Sequence, residues 1–272
     1  MMAVVVSLIH VTGLYPLVRA WRANRRTTLF QAIHWATAAW LAWGFAFAAE
    51  SALSDYSLGL IRYLALCLTT CAGVAALGLG GGAWNFVLLG LLAIMLLPLA
   101  EGLLARGALH LEGPRLLFLA AALAVIVLNY LPTRLGLAAL LLGIGSAVQL
   151  LLLGGSMSVG SSRTVEQFGG LLLALVPWAA LERMAHRPAP VSEFDGIWLD
   201  FRDRFGLVWS QRVREQFNSS AAHHGWPVIL RWQGLRVMPG SELPPPDEQQ
   251  AMLEVLRSLL KRFRDEAQAP DP

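Results

Sequence analysis

Two histidines, His10 and His34, lie inside apolar stretches of the chain, and their chemistry is the best suited to a cofactor. Imidazole nitrogens are common ligands of haem iron. At similar depth on adjacent membrane helices, the two side chains could bind one haem from both faces. Intramembrane histidines also form hydrogen bonds between helices, and bulky neighbours of His10 and His34 favour tight packing. We therefore predict no cofactor and keep haem ligation by His10 and His34 as the alternative.

Cys67 and Cys71 are one helical turn apart in another apolar stretch. This spacing is compatible with a redox pair or a thiolate metal site. A buried cysteine, however, usually behaves as a small apolar residue, and small residues on one face allow a second helix to approach closely. We therefore favour packing for these two cysteines and predict no metal site.

Two glycine-rich segments resemble catalytic loops only superficially. The glycines at positions 78, 80, 81 and 82 lack the following Lys-Ser or Lys-Thr of a phosphate-binding loop. The segment GGSMSVGSS, residues 154–162, lacks the Gly-x-Ser-x-Gly pattern of a hydrolase. The sequence thus offers no catalytic residues, and it favours a protein that is not an enzyme.

A set of ionisable residues lies near the ends of apolar stretches, on the side that we predict to be outside. Charged side chains usually reside at the ends of membrane spans, where water reaches them. The sequence therefore favours solvated helix ends over an outer binding site, with Arg62 paired to Glu50 or Asp55. The acidic members of the set are Glu50, Asp55, Glu101, Glu112 and Glu166.

The composition is that of a membrane protein, because 56% of the residues are hydrophobic and 14% are charged, against about 25% charged residues in soluble domains. A membrane-spanning helix needs roughly 20 mostly apolar residues. We predict an all-α polytopic membrane bundle of about seven transmembrane helices, followed by a small cytosolic α+β domain. The predicted spans are residues 2–18, 28–49, 57–77, 84–100, 116–131, 135–153 and 165–182.

The distribution of arginine predicts the orientation of the spans. Four arginines follow the first span, whereas the second connection, ESALSDYS, is acidic. Because basic loops stay in the cytoplasm, the N-terminus is predicted outside and the C-terminal domain inside. Lys261 is the single lysine, which indicates a GC-rich bacterial gene, so we predict a bacterial inner (plasma) membrane. The four arginines are Arg19, Arg22, Arg25 and Arg26.

The composition changes after residue 184. We predict a transmembrane domain at 1–184, a linker at 185–193 and a soluble domain at 194–272. The soluble part holds eleven basic and twelve acidic residues; this near-neutral balance argues against nucleic-acid binding. A helix from Phe194, two short strands in WPVILRW and LRVM, and an amphipathic final helix predict the order helix, hairpin, helix.

The leading functional hypothesis is a non-catalytic membrane scaffold, assembly or regulatory protein whose cytosolic domain binds protein partners. An aromatic stripe on the first helix of that domain is either its core or a docking face. The alternatives are a transporter or channel for an apolar or lipid-like substrate, and a haem protein. Scarce charge at the membrane midplane argues against ion coupling. The stripe consists of Trp198, Phe201, Phe205 and Trp209.

Overall fold

The computed structural model describes residues 2–50, 52–78, 82–105, 111, 113–154, 159–186 and 189–263. Parts of the predicted outer loop 154–162, of the glycine-rich segment and of the linker lie outside these residues, as do Glu112 and the end of the C-terminal domain. The chain divides into two compact units, Met1–Ala185 and His186–Pro272.

Over its described residues, the first unit consists of α-helices joined by short turns. Six of its helical stretches are long and apolar enough to cross a membrane, which is compatible with an integral membrane protein. They are Val4–Ala23, Asp55–Leu77, Trp84–Leu104, Gly113–Tyr130, Gly136–Leu153 and Thr164–Ala185. The helices are α1 Met2–Thr12, α2 Leu14–Ala23, α3 Leu29–Ala48, α4 Asp55–Leu77, α5 Gly82–Met95, α6 Leu97–Ala105, α7 Gly113–Tyr130, α8 Gly136–Leu153 and α9 Val159–Ala185.

Helix α3 accounts for the difference between these six stretches and the seven that the sequence predicts. It is 20 residues long, which is enough to cross a bilayer. Gln31, His34 and the tryptophans of α3 lower its mean hydropathy, and α3 is therefore absent from the six. The helix packs between α1 and α4: Trp40 stacks on His10 of α1, and the Trp43 indole donates a hydrogen bond to Thr69 of α4.

Helices α5 and α6 form one apolar stretch that is broken near its middle. Pro98 has no N–H, and its ring pushes against the preceding turn. The amide of Leu99 accordingly bonds to Leu96 instead of to Met95, four residues earlier. The carbonyl that is released, that of Met95, accepts a hydrogen bond from the Tyr63 hydroxyl of α4. Such replacement partners allow proline inside membrane helices.

The second unit contains α10 Glu193–His223, strands β1 Val228–Arg231 and β2 Gly234–Val237, α11 Pro246–Leu260 and a short 3-10 helix, Lys261–Phe263. Ser192 caps α10 by accepting a hydrogen bond from the amide of Asp195. Asp200 and Arg204, one turn apart on α10, form an ion pair at 2.9 Å. The order of elements agrees with the order that the sequence predicts.

Helix α10 folds back on itself at Gly206, although its sequence predicts one continuous helix. Gly206 has φ 75° and ψ −167°, a backbone conformation that essentially only glycine adopts. In a straight helix Phe194 and Phe217 would be about 35 Å apart, yet their ring centroids are 5.1 Å apart. The residues on either side of Gly206, 193–205 and 207–223, therefore form two antiparallel arms.

The β1–β2 hairpin is held by side chains of both arms. Leu230 pairs with Leu235 across the two strands. The backbone of each residue also forms a hydrogen bond with a side chain of one of the arms. Asn218 accepts a hydrogen bond from the Leu230 amide at 2.7 Å and donates one to its carbonyl at 3.1 Å. Asp195 accepts from the Leu235 amide at 2.8 Å. A short hairpin is marginally stable alone, so these contacts fix its position on the arms.

Candidate functional site

The imidazole of His10 is buried against α3. Its Nε2–H donates a hydrogen bond to the carbonyl of Trp40 at 3.0 Å, and its ring stacks on the Trp40 indole at 3.8 Å between centroids. A Cβ added at Gly44 would lie 2.9 Å from the His10 ring, so helix and imidazole are in close contact. The Nδ1 atom of His10 has no hydrogen-bond partner within the described part of the chain.

His34 lies on α3 itself and faces a different set of residues. Its Nδ1–H donates to the carbonyl of Phe30 at 2.8 Å, and its Nε2 accepts a long hydrogen bond from the Trp21 indole. Both ring nitrogens are thus engaged. Gly44, which contacts His10, is ten residues farther along α3, or about 15 Å. Ligation of one haem from both faces requires the two imidazoles to reach the same iron. Since His10 packs against a part of α3 that is distant from His34, the structure gives no support to the haem interpretation.

Cys67 and Cys71 are both fully buried in the core of the first unit. The Cys67 thiol lies 3.9 Å from the carbonyl of Met95, the same carbonyl that accepts from Tyr63. The two cysteines and Tyr63 therefore line the face of α4 that meets the broken α5–α6 stretch. Within the described ranges, no group of three His, Cys, Asp or Glu residues is arranged to hold a metal ion.

An ion pair joins two membrane-compatible helices of the first unit. Arg62 of α4 pairs with Glu166 of α9, a residue 104 positions away, and the two side chains are 12% and 13% exposed. The sequence predicted a local partner for Arg62, Glu50 or Asp55, because spacing along the chain cannot reveal a contact between distant helices. Ionisable groups inside membrane spans usually pair and frequently mark functional sites.

Polar side chains of α8 extend this ion pair toward the interior. The Gln149 amide donates to the backbone carbonyl of Glu166 at 3.4 Å. Gln149 and Ser146 are fully buried, one turn apart on α8. Neither Gln149 Oε1 nor Ser146 Oγ has a hydrogen-bond partner among the residues that the structure describes. Arg62, Ser146, Gln149 and Glu166 together form the candidate site of the first unit, which we call the interhelical polar cluster.

The aromatic stripe of the second unit lies in its interior. Trp198, Phe201, Phe205 and Trp209 are all buried. Phe263, at the end of the short 3-10 helix, contacts three of them, with ring centroids 4.7, 4.9 and 5.3 Å from those of Phe201, Phe205 and Trp209. Trp198 also donates a hydrogen bond to the carbonyl of Trp232 in the hairpin turn. In this conformation the stripe packs against residues of its own unit.

Sequence reasoning missed the polar residues that position the hairpin. Arg202 donates to the carbonyl of Trp232 at 2.9 Å, lies over the Trp232 ring and pairs with Asp203. Asn218 and Asp195 bond the hairpin backbone. These contacts join residues that are far apart in the chain, and they leave no periodic pattern. The occurrence of an Arg, an Asp and an Asn near an aromatic stripe was the available signal, and it is not specific.

Comparisons with known proteins leave the function to be argued from these residues. No protein-family model matches the chain, and neither the curated proteins nor the solved structures give a match.

Proposed function

We propose that the protein is a membrane-anchored, non-catalytic scaffold, assembly or regulatory protein whose C-terminal unit is a cytoplasmic interaction domain. The observation that supports this proposal most directly is the closed core of the C-terminal unit. Its aromatic stripe, hairpin and final helix pack on one another, with Trp198, Val213 and Phe217 fully buried. Seven residues separate Glu193 from Ala185, the end of α9. A self-contained domain on a short linker is suited to holding a partner beside the membrane.

The proposal includes seven spans, with α3 as the seventh. The contacts of α3 with α1 and α2 follow an antiparallel register. Trp21 contacts His34, a Cβ added at Gly13 would meet Trp40, and one added at Gly44 would meet His10. Two antiparallel helices in register traverse the same depth, so a bilayer that Val4–Ala23 crosses is also crossed by α3.

The orientation that we propose is N-terminus outside and C-terminal unit inside, in a bacterial inner membrane. The four arginines lie at the end of Val4–Ala23 and in the turn between this stretch and α3, and one of them, Arg25, lies 4.7 Å from the Trp21 ring. Arginine clusters beside a span remain in the cytoplasm. Tryptophan is enriched at the membrane interface, so the Arg25–Trp21 contact is consistent with a cytoplasmic boundary there.

Reporter fusions test the orientation and span number. A reporter that is active only outside the cytoplasm should be inactive when fused after residue 272 and active when fused in the 49–54 connection. Activity at the C-terminus would contradict an odd number of spans.

Native gel electrophoresis after mild solubilisation tests the scaffold function. We expect the full chain, expressed at its native level, to migrate in a larger assembly than a chain that ends at residue 186. Identical migration of both chains as monomers would contradict an interaction domain. The orientation could still be correct in that case, because the reporter fusions measure it separately.

A transporter or channel for an apolar or lipid-like substrate is the second candidate. It is favoured by the broken α5–α6 stretch together with the interhelical polar cluster, because transporters commonly place binding sites at interrupted helices. Vesicles that contain the purified protein and a fluorescent NBD-labelled phospholipid test it. Transport predicts that dithionite bleaches the inner-leaflet label faster than in empty vesicles and that Arg62→Gln slows this bleaching. A matched change outside the cluster, Glu101→Gln, should leave it unaltered. Equal bleaching rates in vesicles with and without the protein would contradict lipid transport.

A further inference from the structure

The fold-back of α10 exposes two aliphatic side chains at its tip. Leu207 and Val208 directly follow the bend at Gly206, and they are 38% and 41% exposed. The neighbouring apolar residues Phe205 and Trp209 are buried. The bend therefore presents Leu207 and Val208 outward while their neighbours fill the core.

Basic side chains of the second arm and of the short 3-10 helix lie close to this tip. Phe263 packs on Phe205 and Trp209, and so brings the end of the chain's last helical turn to the bend. The guanidinium carbon of Arg212 lies 5.3 Å from the Trp209 ring centroid, and that of Arg262 lies 5.9 Å from it. Arg212, Lys261 and Arg262 are exposed. We call Leu207, Val208, Arg212, Lys261 and Arg262 the bend patch.

Two acidic residues of the first arm, within the part of the chain that the structure describes, are paired with arginines of the same arm. Asp200 pairs with Arg204 at 2.9 Å, and the buried Asp203 pairs with Arg202 at 2.7 Å. These two carboxylates are thereby partly neutralised by their own arm. Arg262 donates a hydrogen bond to the neutral amide of Gln216 at 3.1 Å, so this contact leaves its positive charge in place. A surface that combines exposed aliphatic side chains with a basic rim complements an anionic lipid surface.

We propose that the bend patch docks on the anionic headgroups of the bilayer in which the protein is anchored. The linker brings the bilayer within reach, because its seven residues between Ala185 and Glu193 extend to about 25 Å. Each basic side chain near an anionic membrane strengthens surface binding by about fivefold. Leu207 and Val208 enter the boundary between headgroups and acyl chains. The inference goes beyond the scaffold function and requires only that the second unit be tethered to a membrane.

An environment-sensitive label on the full-length protein tests the docking. The Leu207→Cys variant is labelled with NBD on the introduced thiol. It is then reconstituted into vesicles of phosphatidylcholine alone, or of phosphatidylcholine mixed with phosphatidylglycerol. The parent protein should take up little label, because Cys67 and Cys71 are fully buried. We expect a blue shift and brighter emission in the anionic vesicles only, with loss of the shift at high salt. A label at Met238→Cys, an exposed residue after β2, should respond to neither lipid. Both leaflets have the same composition, so the outcome does not depend on orientation.

Charge reversal separates this surface from general basicity. In the Leu207→Cys protein, Arg212→Glu with Lys261→Glu should abolish the lipid-dependent shift. The matched pair Arg231→Glu with Arg236→Glu, two exposed arginines of the hairpin, should preserve it. Emission that is the same in both vesicle types would overturn the proposal. If that common emission is blue-shifted relative to the Met238 label, a second copy of the chain covers the patch instead of lipid. Equal loss in both double variants would also overturn it.

Discussion

At the scale of single residues, the ion pair of Arg62 and Glu166 should owe its strength to burial. Both side chains are nearly buried, so removing one deprives the other charge of this ion pair in a place that water reaches poorly. We expect Arg62→Gln and Glu166→Gln each to lower the free energy of unfolding by about 3–5 kcal/mol. The double variant should lose less free energy of unfolding than the sum of the losses in the two single variants. Unfolding of the purified protein in detergent, followed by circular dichroism, measures the coupling.

A matched pair provides the control for this coupling. Arg115 and Glu101 also form an ion pair, at 2.9 Å, but their side chains are 34% and 61% exposed. Solvent screens exposed pairs, and we expect their coupling to stay below about 1 kcal/mol. Equal coupling in the two pairs would contradict the view that burial gives the Arg62–Glu166 contact its strength.

Gly206 is the residue on which the shape of the second unit depends. Its φ of 75° with ψ of −167° is strained for any side chain with a Cβ, at a cost of about 1–3 kcal/mol. We expect Gly206→Ala to destabilise the unit by that amount, as measured by denaturant unfolding monitored by tryptophan fluorescence. Gly225→Asn is the comparison: Gly225 has φ 70° and open space around its Cβ position, and asparagine tolerates the left-handed region. A smaller loss at Gly206 than at Gly225 would refute the argument.

At the scale of elements, the broken α5–α6 stretch depends on a residue from another helix. Tyr63→Phe removes the donor to the Met95 carbonyl, and a lost interhelical hydrogen bond in a membrane costs about 0.6–1.7 kcal/mol. Pro98→Ala should let the Leu99 amide return to that carbonyl. We therefore expect Tyr63→Phe to cost less in the Pro98→Ala background than alone, as measured by thermal unfolding in detergent. Additive effects would indicate that the break has another cause.

At the scale of the whole molecule, the second unit should fold without the membrane unit. Its core is formed by its own helices and hairpin, and buried residues such as Met252 and Leu256 of α11 complete it. We expect the isolated segment 186–272 to be soluble and to unfold in one cooperative transition in urea. A soluble segment without cooperative unfolding would show that the unit needs the membrane unit or a partner to fold.

The sequence predicts the membrane-compatible helices well because each depends on a local property. Six apolar stretches have the length and hydropathy of a span, and their bounds lie close to those read from composition. The two strands of the hairpin are likewise foreseen, because alternation is a local feature. The predicted strand WPVILRW includes Trp232, whereas β1 ends at Arg231 and Trp232 lies in the turn. Arg202 and Asn218, which hold the hairpin, are not foreseen, because their partners are distant in sequence.

The sequence by itself therefore determines the apolar helices, the change in composition near residue 185 and the order of elements in the second unit. Tertiary structure decides that α10 reverses at Gly206, since a periodic apolar stripe is the same on one long helix as on two facing arms. It also decides that Arg62 meets Glu166 and that His10 and His34 face different neighbours. The physical reason is common to these cases: hydropathy and periodicity act between residues a few positions apart, whereas packing selects partners from the whole chain.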